Sequence, residues 1–404
     1  MKSLLVISSY PPRFCGIATF TEEAIEFMRK VRSDLKIDII SHTDGIGENV
    51  HPIINMEDEN WYLPVVDKIK QLNPDAIHIE HEYGLYNYKG QDPRNEKFIR
   101  FLELIKDYPI VIEAHTIHGR LKESEEWFVR EVLKKCAVLI VKCEYQKWRL
   151  HWTFKNDKEM EKLLEKVTVV PHGARPDRRY GDEEINALKE ELGLKELIGK
   201  HIVGMVGWIQ DNKKWDAVIN LWEPIEKMIN KKTDQSWLLF GAGDIRDEDH
   251  MTECSGWIEH LKQMEEKGIG KYFKFTPRGE IYYKVMAICD FIVLPSVDET
   301  QSGTLARIIA TNTPYITTAP LEGLTAQTVE SHGGLLFTAR DSLKNGLVDL
   351  AGSEKLRRKL GDNLKKYLDK KVDWNIIVKQ YYKIHEKAIK ARKQGREVYF
   401  PPNL

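Results

Sequence analysis

The sequence predicts an α/β protein of doubly wound parallel sheets, divided into two domains. Three observations predict this. Short apolar runs alternate with stretches whose apolar residues recur at helical spacing. That alternation halts at a polar, charged stretch, 174–199, and then begins again. The length, 404 residues, exceeds what one ordinary core organises.

The first apolar run, 4–7, has no polar residue, as expected for a strand covered on both faces. It is too short for the apolar region of a signal peptide, and no cleavage site follows it. Pro11 and Pro12 bar a helix directly after it. Gly16 opens a helical segment in which Ile17, Phe20, Ala24, Phe27 and Met28 share one face. The same reading gives strands at 37–40, 76–80, 110–113, 138–142 and 167–170, with helices at 65–72, 98–105 and 127–133. Asn73-Pro74 stops the first of those helices. In the second half, strands are predicted at 201–207, 237–240, 272–275, 291–294, 315–318 and 334–337. Helices are predicted at 347–350 and 356–368. A last amphipathic helix, 374–392, carries Ile376, Ile377, Tyr381, Ile384 and Ala388 on one face.

Composition narrows the function classes. Hydrophobic residues make up 42% and charged residues 30%, as in a soluble globular protein. The 61 basic and 62 acidic side chains leave a net charge of -1, so no global field draws the chain to nucleic acid. Peripheral docking on a membrane stays open, because a local basic patch needs no net charge. Cys15, Cys136, Cys143, Cys254 and Cys289 show no CxxC spacing, which fits reduced thiols and a cytoplasmic location. No apolar segment is long enough to span a bilayer. A monomer or a homodimer is expected.

The candidate chemistry lies in loops at the carboxyl ends of strands, the edge where open α/β sheets bind ligands. The apolar run 291–294 ends at Pro295, and helical spacing resumes at Leu305. Gln301, Ser302, Gly303 and Thr304 then fall at a helix N-terminus, where free N–H groups and the helix dipole favour an anion. An ordinary βα turn with a Ser or Thr cap would use the same residues. There is no GxGxxG after the first strand and no GKS or GKT, so the sequence does not support a dinucleotide fingerprint or a P-loop. His78 and Glu80 share a face of one strand while His81 points elsewhere, and no metal is expected. His81 follows as a loop residue, and Tyr83, Tyr86 and Tyr88 either offer ring faces to a ligand or pack the domain edge.

The ordered set Pro11-Pro12…Gly16-Ile-Ala, His81-Glu-Tyr-Gly-Leu-Tyr, Ala114-His-Thr, Pro171-His-Gly, Gly207…Lys213, Gly241-Ala-Gly and Pro295-Ser…Glu299-Thr-Gln-Ser-Gly resembles glycosyltransferase family 4 over nearly the whole chain. The resemblance implies the GT-B fold, two Rossmann-like domains facing across a cleft. It divides the chain into an acceptor-binding domain, 1–175, a nucleotide-sugar-binding domain, 176–373, and a C-terminal helix, 374–404, returning to the first domain. It implies a retaining, metal-independent glycosyltransferase that moves a hexose from a nucleoside diphosphate sugar to a carbohydrate, lipid or small-metabolite acceptor, with no permanently bound cofactor. A 2-epimerase or phosphorylase of the same fold, or a non-catalytic sugar-nucleotide binder, are the alternatives. By the same resemblance His115 sits beside the transferred sugar, Lys213 neutralises the departing diphosphate and Glu299 contacts the donor sugar. Gly16 faces diphosphate and acceptor, His81, Tyr83 and Tyr86 are the acceptor-binding candidates, and Gln301, Ser302, Gly303 and Thr304 cradle phosphate. The chain departs from the pattern twice. Arg307 stands where the family places a second, ribose-binding Glu, and Trp208 stands where it often places an Arg. An Arg cannot accept hydrogen bonds from ribose hydroxyls. Arg307 is therefore expected to meet a carboxylate or phosphate, with Glu322 or Glu330 as candidate replacements for the missing acid.

Overall fold

The computed structural model describes residues 1–246, 251–297, 299 and 302–400. The chain forms two compact units, Met1–Gly173 with Trp374–Leu404, and Ala174–Asp373.

The first unit is a seven-stranded, wholly parallel sheet in the order β3-β2-β1-β4-β5-β6-β7. Its strands are β1 (Ser3–Ile7), β2 (Lys36–His42), β3 (Val50–Ile54), β4 (Ala76–His81), β5 (Ile110–Ala114), β6 (Val138–Val141) and β7 (Val167–Val169). Between them run α1 (Gly16–Val31), α2 (Tyr62–Leu72), α3 (Glu96–Leu104), α4 (Glu123–Lys135), α5 (Glu144–Thr153) and α6 (Lys158–Leu163). Alternate strand residues feed opposite faces. Leu5, Ile7, Ile77 and Ile79 pack with α2, α3 and α4. Leu4, Val6 and Val111 pack with Phe20 and Phe27 of α1 and with Ile377 and Tyr381 of the C-terminal helix, Trp374–Lys393. Trp374 is fully buried and its indole N–H donates to Glu23 Oε2 at 3.2 Å. A Cβ on Gly173 would stand 2.3 Å from the Trp374 ring, so the Pro171-His-Gly stretch needs its glycine for a close approach.

The second unit repeats the plan with six parallel strands in the order β10-β9-β8-β11-β12-β13. These are β8 (His201–Val206), β9 (Trp237–Gly243), β10 (Gly270–Lys274), β11 (Phe291–Leu294), β12 (Tyr315–Thr318) and β13 (Gly334–Phe337). Its helices are α7 (Asp182–Glu191), α8 (Asp216–Thr233), α9 (Met251–Glu266), α10 (Gly279–Ala287), α11 (Gly303–Thr311), α12 (Glu322–Ser331), α13 (Arg340–Gly352) and α14 (Glu354–Tyr367). Ile202, Phe240 and Ile292 pack under α10 and α11; Val203, Leu239 and Val293 pack under α8, α9 and α13. Among the described residues no helix is long and apolar enough to cross a membrane.

Candidate active site

In the first unit the expected residues lie at the carboxyl ends of β1, β4 and β5. Gly16 begins α1, is exposed, and has nothing within 4 Å of where a Cβ would stand. The fold therefore leaves open space over that residue. His115 directly follows β5, and its backbone N–H donates to His81 O at 2.9 Å, which continues the β4–β5 ladder by one step. The imidazole is largely enclosed. Its Nε2 lies 2.7 Å from Glu80 Oε2, and its ring meets Phe20 edge-on at 4.8 Å.

Glu80 belongs to a buried polar cluster on the α1 face of the sheet. His78 Nε2 lies 3.2 Å from Glu80 Oε1 and 3.1 Å from Glu113 Oε2, and its Nδ1 lies 2.9 Å from His385 Nε2. Glu113 also takes the Lys142 ammonium and the Tyr381 hydroxyl, the latter at 2.8 Å. Burial would raise the Glu80 carboxyl, but His78 and the hydrogen bonds from His115 and His78 outweigh it and hold it well below the usual carboxylate range. Burial pushes His385 well below the ordinary imidazole value. His78, Glu80 and Glu113 offer ligand-type atoms all within 4.8 Å of one another. Each carboxylate there already accepts hydrogen bonds from protein donors, so the group is satisfied as a charge network. The strand reading singled out His78 and Glu80 and missed Glu113 and Lys142. Their signal is a charge at the end of an otherwise apolar strand.

The candidate acceptor residues separate. His81 is enclosed among Tyr86, Phe98 and Phe128, with Nε2 3.4 Å from Asn95 Oδ1. Burial pushes it down to about 3, against the pull of that hydrogen bond. Tyr86 is fully buried, and its hydroxyl donates to Glu80 O at 3.0 Å. Neither ring presents a face to a ligand, because both are packed into the core. Tyr83 is half-buried, and its hydroxyl makes no hydrogen bond among the described residues.

In the second unit the expected residues gather after β8 and β11. Lys213 ends the short helical turn Asp211–Lys213, and its Nζ lies 2.8 Å from Glu299 Oε1. Lys213 and Thr304 line one small pocket with Gly207, Trp208 and Ser296. Gly207 has φ 139°, and a Cβ there would stand 2.7 Å from Tyr282 Oη. Ser302 is the N-cap of α11, and its Oγ accepts from Leu305 N at 3.2 Å. Gly303 and Thr304 follow in the first turn, and Thr304 Oγ1 lies 3.0 Å from Tyr282 Oη. Gln301 lies outside the described residues. Tyr282, from α10, touches three parts of this pocket region and carried no signal in the sequence.

Arg307 folds back on the start of its own helix. Its Nη1 donates to Gly303 O at 2.8 Å, and its guanidinium lies 5.0 Å over the Tyr282 ring and 5.7 Å over the Tyr283 ring. The guanidinium thus lies beside the first turn of α11, at the positive end of the helix dipole. Glu330, at the far end of α12, accepts from Tyr367 Oη at 3.1 Å, while Glu322 opens that helix.

Residues 200–352 match the family model described as glycosyl transferases group 1. That matched stretch lies within the second unit. A stretch of 158 residues is 25% identical to an uncharacterized glycosyltransferase of Methanocaldococcus jannaschii, over 39% of this chain and 42% of that protein. The match thus spans less than half the length of that relative. Beyond these matches the likeness is one of fold. Anabaena HepE in complex with UDP superposes with a TM-score of 0.67 at 14% identity, over 95% of this chain and 99% of that one. Sucrose-phosphate synthase from Thermosynechococcus elongatus gives 0.68 at 16% identity, over 97% and 100%. Both likenesses place the two parallel-sheet units in the GT-B fold class.

Proposed function

We propose that the chain is a retaining glycosyltransferase that moves a hexose from a nucleoside diphosphate sugar to a carbohydrate, lipid or small-metabolite acceptor. The observation that carries this reading is the set of donor groups gathered at the N-terminus of α11. There Ser302, Gly303 and Thr304 supply a helix N-terminus, Arg307 adds a guanidinium, and Lys213 lines the adjoining pocket. Breaking a sugar–phosphate bond leaves negative charge on the departing diphosphate, and preformed cations and amides stabilise it as it develops. Lys213 is assigned to that charge and Glu299 to the hydroxyls of the donor sugar; their ion pair holds both side chains ready. Gln301 is assigned to the same phosphate, and Glu322, at the start of α12, is the candidate for the ribose hydroxyls. In the first unit His115 is assigned to the transferred sugar, Gly16 to the diphosphate and acceptor, and Tyr83 to the acceptor. Attack from the face the diphosphate leaves, with the leaving phosphate taking the acceptor's proton, accounts for retention without a protein nucleophile. HepE binds UDP and UDP-glucose, which makes uridine the first base to try.

The test begins with melting curves in UDP, GDP and ADP, since a ligand held only by the folded state raises the melting temperature. Labelled nucleoside diphosphate sugars with the stabilising base then report turnover, including slow hydrolysis, and the anomeric configuration of the product reports retention. No stabilisation by any of the three and no turnover of their sugars would sink the reading.

A further inference from the structure

We propose that Glu80 is a positioning residue for His115. It holds the imidazole as the Nε2–H tautomer and leaves the Nδ1 lone pair to accept a hydroxyl of the transferred sugar. This rests on the assignment of His115 to that sugar.

The tautomer follows from hydrogen-bond chemistry. An ionised carboxylate only accepts, so the 2.7 Å contact between Glu80 Oε2 and His115 Nε2 requires the proton on Nε2. Glu80 is 2% exposed and is itself held, because its other oxygen faces His78 Nε2 at 3.2 Å. His78 is fixed in turn by Glu113 and by His385 from the C-terminal helix. Register puts Glu80 directly opposite Glu113 on the neighbouring strand, so the support is built into the sheet. Phe20 meets the His115 ring edge-on at 4.8 Å, and Lys142 Nζ lies 4.3 Å over that same Phe20 ring. The imidazole is thus fixed by a carboxylate on one nitrogen and by an aromatic ring beside it. Its Nδ1 makes no hydrogen bond among the described residues. With Nδ1 unprotonated, the ring accepts a sugar hydroxyl and places no positive charge beside an oxocarbenium-like centre. The arrangement is also one that stability does not favour. Replacing buried ionic groups with well-packed apolar ones is often neutral or stabilising, yet β4 and β5 each carry a buried glutamate one residue before their last.

Three variants and one spectrum test this. Glu80→Gln keeps an oxygen that can accept from Nε2–H; Glu80→Leu removes it. Protein labelled with nitrogen-15 at histidine reports each ring's tautomer, and His115→Asn assigns the His115 signals by their loss. The wild-type His115 ring is expected as the Nε2–H form, and Glu80→Leu is expected to release it toward Nδ1–H. For the nucleoside diphosphate sugar that turns over in the screen above, kcat is expected to fall by about 10-fold to 100-fold in Glu80→Leu with donor KM nearly unchanged, and to recover mostly in Glu80→Gln. An Nδ1–H ring in the wild type overturns the proposal without any variant. So does a released tautomer with full kcat, if His115→Asn itself lowers kcat. If His115→Asn leaves kcat untouched, the assignment of His115 to the sugar has failed, while the tautomer spectrum still reports whether Glu80 holds the ring.

Discussion

The Lys213–Glu299 pair sets the expectations at the scale of single residues. The two charges meet at 2.8 Å with side chains only 18% and 9% exposed, so water screens them poorly. Lys213→Ala removes the cation that meets the departing diphosphate, and kcat should drop by roughly 100-fold to 1,000-fold, the range for loss of one preformed charge-stabilising group. The melting temperature should fall as well, since the change leaves the nearly buried Glu299 carboxylate without its ammonium partner. A steady-state assay with a melting curve on the same sample checks both halves; an unchanged kcat would remove Lys213 from the reaction. Arg307 makes a different prediction. Its guanidinium packs on two tyrosine rings and on the Gly303 carbonyl, so the shape must be kept while the charge is removed. Arg307→Met should weaken nucleoside diphosphate binding by about 10-fold, a typical scale for one charge-assisted contact. Calorimetry with the stabilising nucleotide measures it. Equal affinity would leave Arg307 as a packing residue only.

At the scale of elements, α11 is the segment whose local chemistry and assigned chemistry coincide. Ser302 Oγ accepts the Leu305 N–H, so Ser302→Ala should destabilise the second unit by about 1 kcal/mol, whereas Ser302→Gly should cost only a few tenths. Chemical denaturation followed by tryptophan fluorescence reads this. Equal losses for Ala and Gly would mean the hydroxyl does not cap the helix. This element was legible in the sequence because strand, cap and apolar spacing agree across 291–310. Others were not. β3 contains Pro52 and lies at the sheet edge, where a strand needs only one hydrogen-bonded neighbour and its pattern can be weak. In α5 the large aromatics Tyr145, Trp148 and Trp152 are 43%, 52% and 51% exposed, while Gln146 and Leu150 face the core. The apolar pattern there points the wrong way for a helix to be read. Within the site, Lys213, Glu299 and Ser302 were legible because each follows a strand in a motif of fixed order. Tyr282 reaches the pocket from α10, a neighbour in space and not in sequence. The enclosure of His81 and Tyr86 could not be read either, since it depends on Phe98 and Phe128 packing over them from α3 and α4.

At the scale of the whole molecule, the two units differ in how they store titratable groups. The first unit buries several histidines that burial keeps neutral. His81 is pushed down to about 3; His385 is pushed well below its ordinary value; His42 is lowered by burial while its Nε2–H donates to Leu85 O at 2.9 Å. For a base whose folded pKa lies below its unfolded one, the unfolded chain binds the extra proton, so stability is complete above about 6.5 and falls as the pH drops. Glu80 adds to this in the same direction at lower pH. Its depressed folded pKa means that its contribution is lost only below the ordinary carboxylate range. Between pH 6.5 and 4.5 His81 alone should remove about 2 to 3 kcal/mol from the first unit, at roughly 1.4 kcal/mol per pH unit. The first unit should therefore open before the second on mild acidification. Brief proteolysis across that range, with the cuts mapped by mass spectrometry, locates the opening; cuts appearing first within Ala174–Asp373 would contradict it. His81→Leu keeps an apolar side chain in the core and removes the proton site. Its stability should fall less steeply with acid than the wild type's, by close to one proton's slope, and an unchanged slope would mean that another group carries the acid sensitivity.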